Sequence, residues 1–242
     1  MERDEHDSTT EHALRAEFKL YYDLAAPAGA PAPLLVALHG YGSNKGWMLR
    51  EARRHAPGGF AVAALQGPHQ HLKDAREPGG PLRYGFGWLT NFRPQESVAL
   101  HHRALLDVIA ALVARGVARR DRVFLMGFSQ SCALNYRFAF THREVLRGVV
   151  GVCGGLPGDW ETGEAYGPTR AAALHLHGTR DEFYPPERVA DYAARLRARA
   201  ADVEVRAYDA GHEFVPAMRD DVRAWLERKN EDRESSIVNR KS

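Results

Sequence analysis

A serine hydroxyl is a weak nucleophile at neutral pH. To use one, a protein must supply a histidine that takes the proton and a carboxylate that holds the histidine in the right tautomer. Ser129 stands in Gly127-Phe128-Ser129-Gln130-Ser131, directly after the apolar run Val123-Phe124-Leu125-Met126. A serine on a sharp strand-to-helix turn occupies a strained backbone conformation that aims its hydroxyl off the sheet. The residues two before and two after it must then be small, as Gly127 and Ser131 are. The competing reading of Ser129 is a plain helix cap. Asp181, in His177-Gly178-Thr179-Arg180-Asp181, and His212, in Gly211-His212, follow in the order serine, acid, histidine that such a turn requires. Asp159 and Glu161 are rival acids after another strand, and the His-Gly-x-x-Asp context favours Asp181. A tetrahedral intermediate also needs backbone donors for its oxyanion. Two are expected: the amide of Gln130, at the start of the helix, and that of Tyr41, in His39-Gly40-Tyr41-Gly42, where the glycines let the chain bend inward.

These residues must be carried by elements that bring them together. Short, continuously apolar segments at Leu34 to Leu38, Phe60 to Leu65, Val123 to Met126, Val149 to Val152 and Ala171 to Leu176 read as strands buried on both faces. Val203 to Tyr208 alternates like an edge strand, and Leu14, Ala16, Phe18, Leu20 and Tyr22 suggest a half-exposed opening strand. Helical patterns cover Gln95 to Arg115, Ser129 to Thr141, Pro186 to Ala201 and Pro216 to Leu226. Alternating strand and helix predicts an α/β fold with a mainly parallel central sheet and helices on both faces, and such sheets collect ligands beyond the carboxyl ends of their strands. The loops bearing Tyr41, Ser129, Asp181 and His212 each follow one of these strands.

Length and composition narrow the function. The chain has 242 residues, 44% of them hydrophobic, which suits one sizeable core over residues 13–226, with polar tails at 1–12 and 227–242 expected to be flexible. Its 33 basic and 31 acidic residues are interspersed, so no broad basic face for nucleic acid is expected. The arginines from Arg188 to Arg199 read as a solvated helix face. No uninterrupted apolar run is long enough to span a bilayer, and Met1 to Glu11 lacks the apolar core of a signal peptide. A cytoplasmic protein is therefore expected. Cys132 and Cys153 read as buried thiols. No metal or other cofactor is expected, because His175 and His177 have no third ligand at convincing spacing. His101-His102 reads as a surface pair, and His69 and His71 as solvated loop residues.

Taken together, His39-Gly40-Tyr41-Gly42, Gly127-Phe128-Ser129-Gln130, His177-Gly178-Thr179-Arg180-Asp181 and Gly211-His212 resemble the phospholipase/carboxylesterase branch of the α/β-hydrolases, which includes acyl-protein thioesterases and small bacterial esterases. The resemblance spans roughly Phe18 to Leu226, and the glutamine after the serine is a specific mark of that branch. It implies a metal-independent serine hydrolase acting on a small-molecule ester or thioester, with Ser129 as nucleophile, His212 as general base and Asp181 as orienting acid. The same triad would also serve a lysophospholipase, lactone hydrolase or peptidase, and a catalytically silent binding protein is the rival from another class. In the family a tryptophan-bearing segment borders the acyl pocket, which implies that Trp88 lines the substrate site. Bulky Phe183 stands where small aliphatic residues are common and is expected to narrow it. Ser131-Cys132 replace two glycines usual in the family and are expected to crowd the turn or the pocket floor.

Overall fold

The computed structural model describes residues 9–29, 31–75, 77 and 79–231. Its strands are β1 (Tyr22–Ala25), β2 (Ala32–Leu38), β3 (Ala61–Leu65), β4 (His69–Lys73), β5 (Arg83–Gly87), β6 (Ala118–Phe128), β7 (Gly148–Val152), β8 (Ala172–Gly178) and β9 (Val203–Tyr208). Its helices are α1 (Lys45–His55), α2 (Pro94–Ala114), α3 (Gln130–Thr141), α4 (Pro186–Val189), α5 (Tyr192–Arg197) and α6 (Pro216–Glu231).

Seven strands form one sheet in the order β1-β3-β2-β6-β7-β8-β9, parallel throughout except for the β1–β3 pair. Successive residues of the buried strands face opposite sides. Leu34, Val36, Leu38 and Leu125 join a core with α2 and α3, while Leu35, Ala37, Phe124 and Met126 join another with α1 and α6. Apolar side chains covered on both faces explain the continuous hydrophobic runs. This is the α/β-hydrolase architecture.

The topology decides where chemistry can collect. Chain order runs one way from β2 to β3 and the other way from β2 to β6, so the crevice beyond the carboxyl ends of β2 and β6 is a switch point. Leu38 pairs with Gly127, which sets the loop after β2 beside the turn after β6.

Several elements differ from the sequence expectation. Residues 13–20 form no strand and are mostly exposed; β1 starts at Tyr22. Alternation marks an extended chain, and here Phe18 and Leu20 lie beside Leu100 and Ala104 of α2 without a ladder partner. The segment around His69 and His71 is a two-stranded hairpin, β4–β5, in place of a loop. The Pro186 helix breaks into α4 and α5; Arg188 and Arg197 are exposed as the sequence suggested, whereas Arg195 pairs with Glu161 at 2.7 Å and Arg199 donates to the Trp160 carbonyl at 2.8 Å. α6 continues to Glu231, beyond the expected boundary at 226. The remainder of that tail, and residues 1–8 of the other, lie outside the described residues. α2 is long and apolar enough to cross a membrane by length and composition. In the fold Leu105, Val108, Ile109 and Leu112 of its buried face belong to the core.

Candidate active site

Ser129 has φ 56° and ψ −118°, a strained combination for a residue with a side chain. The turn is held from several directions. The Ser129 amide donates to the Val152 carbonyl at 2.9 Å, and the Ser131 hydroxyl accepts from the Phe128 amide at 3.0 Å. That hydroxyl also lies 2.9 Å from the Leu38 carbonyl, to which it can donate. Ser131 therefore braces the turn against β2, contrary to the expected crowding. Cys132 is accommodated as well: its Sγ lies against the Gly127 and Val152 carbonyls, in space left by Gly154, where an added Cβ would come within 2.4 Å of that sulfur.

Around this turn the structure brings together the three residues singled out by the sequence. Ser129 Oγ lies 2.9 Å from His212 Nε2, and His212 Nδ1 lies 2.9 Å from Asp181 Oδ2. The second carboxylate oxygen of Asp181 accepts from the amides of Phe183 at 2.9 Å and Tyr184 at 3.0 Å. Asp181 is 1% exposed, so these amides and the imidazole satisfy a buried charge that would otherwise be costly. The rival acids are committed elsewhere: Asp159 to Arg137 at 2.8 Å and Glu161 to Arg195.

The loop after β2 approaches closely. A Cβ at Gly40 would lie 3.0 Å from Ser129 Cβ and from the Phe128 ring, and Gly42 turns the chain with φ +75°. Gln130 opens α3, so its amide is among the first-turn donors that a helix leaves without an internal acceptor. The Tyr41 ring stacks on His71 at 4.3 Å, Lys73 Nζ donates to the Gly42 carbonyl at 2.9 Å, and the Gly42 amide donates to Phe86. The β4–β5 hairpin thus clasps this loop.

Trp88 is 1% exposed and acts as an anchor: its indole N–H donates to the His39 carbonyl at 2.9 Å, and its amide donates to Gln130 Oε1 at 2.8 Å. Phe183, by contrast, is 57% exposed, with its ring 4.8 Å from the imidazole of His212.

Sequence reasoning missed two participants. His39 is fully buried, and burial lowers its pKa to about 4, so the ring is neutral. One ring nitrogen lies 2.7 Å from the Gly40 carbonyl and the other accepts from the Gly67 amide at 3.0 Å, which ties down the start of the Tyr41 loop. The other is Cys153, with φ 48°, at the end of β7. Its sulfur, a carboxylate oxygen of Asp181 and a ring nitrogen of His212 lie within 4.8 Å of one another, a donor set able to hold a metal ion. Burial, and next the charge of Asp181, push the thiol up to about 12. The rule that strand ends collect chemistry pointed to this position, because β7 ends there. Of the remaining histidines, His175 Nδ1 lies 2.9 Å from the Tyr136 hydroxyl, and His69 reaches Ser97 at 3.1 Å. His101 is buried, not on the surface, with Nε2 3.1 Å from Asn135 Oδ1.

Comparison with known proteins agrees with this fold. A 30% identical relative, "Putative esterase NocK" of Nocardia uniformis subsp. tsuyamanensis, aligns over 175 residues, 68% of this chain and 46% of that protein. The chain thus spans about half the length of the curated relative it matches. The Bacillus cereus carboxylesterase superimposes with a TM-score of 0.66 at 16% identity, covering 87% of this chain and 94% of that one. Zea mays acyl-protein thioesterase 2 does so with 0.62 at 19%, covering 87% and 99%. A carboxylesterase from Mesorhizobium loti gives 0.67 at 23%, covering 85% and 93%. At such identities these structures establish the fold. The phospholipase/carboxylesterase family model matches residues 21–230, from the first strand to the last helix, and the chain belongs to that family of α/β-hydrolase enzymes.

Proposed function

We propose that the protein hydrolyses carboxylic esters or thioesters through an acyl-enzyme on Ser129. The observation that carries this reading is the continuous chain from Ser129 Oγ to His212 Nε2 and from His212 Nδ1 to Asp181, each link 2.9 Å. Ser129 Oγ attacks the carbonyl carbon while its proton passes to His212 Nε2, and the imidazolium is stabilised by the Asp181 carboxylate. Negative charge moves to the carbonyl oxygen, where the amides of Tyr41 and Gln130 are the donors. His212 then returns the proton to the departing alcohol or thiol as the C–O or C–S bond breaks. Water attacks the acyl-enzyme by the same proton route and releases the acid. Trp88 serves as the buried wall behind the Tyr41 loop, and Phe183 borders the open side of the site. Two free, buried cysteines suit a reducing compartment, and the cytoplasm is the place we assign it.

A fluorescent phosphonate that reacts with activated serines tests the assignment. The wild type should be labelled and Ser129→Ala should not; labelling of that variant at the wild-type rate would remove Ser129 from the mechanism.

A further inference from the structure

The leaving group of the substrate can be placed by its proton. Whatever departs must receive a proton from His212 Nε2, so its first atom lies within hydrogen-bond reach of that nitrogen, and the rest of the group lies beside the imidazole. Three aromatic rings surround the imidazole: Phe183 at 4.8 Å, Phe128 at 5.0 Å and Tyr184 at 6.0 Å. Phe128 is buried, and the half-buried Tyr184 carries the Arg188 guanidinium 4.7 Å from its ring centroid. Of the three, Phe183 offers the most open surface. It is also held in place: its amide donates to Asp181 Oδ1 at 2.9 Å, its carbonyl accepts from Arg188 Nη1 at 2.9 Å, and its ring meets the imidazole at 63°. A large apolar ring whose backbone is tied to the triad acid and whose one side meets the imidazole keeps the rest of its surface open beside the reacting atoms.

We infer that Phe183 is the platform for the leaving group, and that the preferred substrates are esters or thioesters of aryl or arylmethyl alcohols and thiols. The inference rests on the triad reading above. An aromatic ring joined to the departing atom directly or through one carbon reaches the space over Phe183, where offset or edge contacts favour it over an aliphatic ring of the same size.

Benzyl and cyclohexylmethyl acetate match closely in size, and the intrinsic advantage of the more acidic benzyl alcohol is read from their hydroxide-catalysed hydrolysis, so the ratio of their kcat/KM values divided by that chemical ratio isolates the aromatic contribution. So corrected, the wild type should prefer the benzyl ester by about fivefold. In Phe183→Ala and in Phe183→Leu, which keeps apolar bulk, this corrected ratio should fall to about one. A corrected wild-type ratio near one, or an unchanged ratio in Phe183→Leu, would overturn the inference. Turnover by Ser129→Ala would overturn the triad reading and this inference with it. Loss of turnover in Ser129→Ala together with an unchanged ratio in the Phe183 variants would overturn the platform alone.

Discussion

Ser131 shows how one side chain can change meaning between sequence and structure. Its position two after Ser129 suggested a departure that crowds the turn, yet its hydroxyl lies within hydrogen-bond distance of the Phe128 amide and the Leu38 carbonyl, both buried. A glycine there would leave the Phe128 amide to find another acceptor. Ser131→Ala should therefore cost about 1–3 kcal/mol of unfolding free energy, the usual penalty for an orphaned buried group, measurable by urea denaturation. A loss below a few tenths of a kcal/mol would show that the hydroxyl does not brace the turn. Cys132 has a similar logic, since the absence of a side chain at Gly154 makes room for its sulfur. Neither compensation was legible in the sequence, because Leu38 and Gly154 lie far from the turn along the chain.

Among the elements, the β4–β5 hairpin was the least expected and is the one that shapes the loop after β2. Its strands are short and rich in histidine and glycine, which carries little strand signal. Gly85 is required by close packing, since a Cβ there would lie 2.7 Å from Gly42 Cα. Trp88, directly after β5, links the hairpin to α3 through Gln130 and to the end of β2 through His39. Trp88→Phe keeps the amide contact and removes the indole donor, leaving the His39 carbonyl without that partner. If the Tyr41 amide is an oxyanion donor, kcat should fall by about tenfold while KM changes much less, because the lost order matters in the transition state. Equal losses in stability and KM with an unchanged kcat would assign Trp88 to packing alone. The buried strands, by comparison, were legible in their apolar stretches, since both faces of the sheet are covered and their hydrophobic runs have no other use; β6 alone reaches well beyond its run, from Ala118 to Phe128, because its exposed start at Arg119-Arg120-Asp121 carries no apolar signal.

For the molecule as a whole, the buried histidines set an acid limit. Burial lowers the pKa of His39, His55 and His102 to about 4 and of His101 and His175 to about 3. Once unfolded, each returns toward the ordinary value near 6.5, so the unfolded chain binds more protons between those limits. Their contribution to stability is complete above pH 6.5 and is lost as pH falls toward 4 and below. Tm should drop steadily over that range, with unfolding near pH 5 taking up about four to five protons on these five rings. A Tm independent of pH from 6.5 to 4.5 would show that these rings are not buried in neutral form. This sensitivity was hidden in the sequence, where His101-His102 looked like a surface pair; the burial of His101 depends on α2 packing against α3, which local periodicity does not specify.

The sequence by itself determined the five buried strands, their alternation with α2, α3 and α6, the mainly parallel sheet and the strand-to-helix turn at Ser129. It also singled out Ser129, Asp181 and His212, because each follows an apolar strand and carries a local motif whose backbone demands are short-range. Tertiary structure alone decided how those ends converge. The pairing of Leu38 with Gly127 sets the Tyr41 loop against the turn, and β8 and β9 bring Asp181 and His212 to the serine across 52 and 83 residues of chain. It also decided that Trp88 is an anchor, that Phe183 stays open beside the imidazole, and that Cys153 and His39 belong to the neighbourhood of the site. The physical reason is that register and packing are properties of pairs of elements, and no single segment contains the information that fixes them.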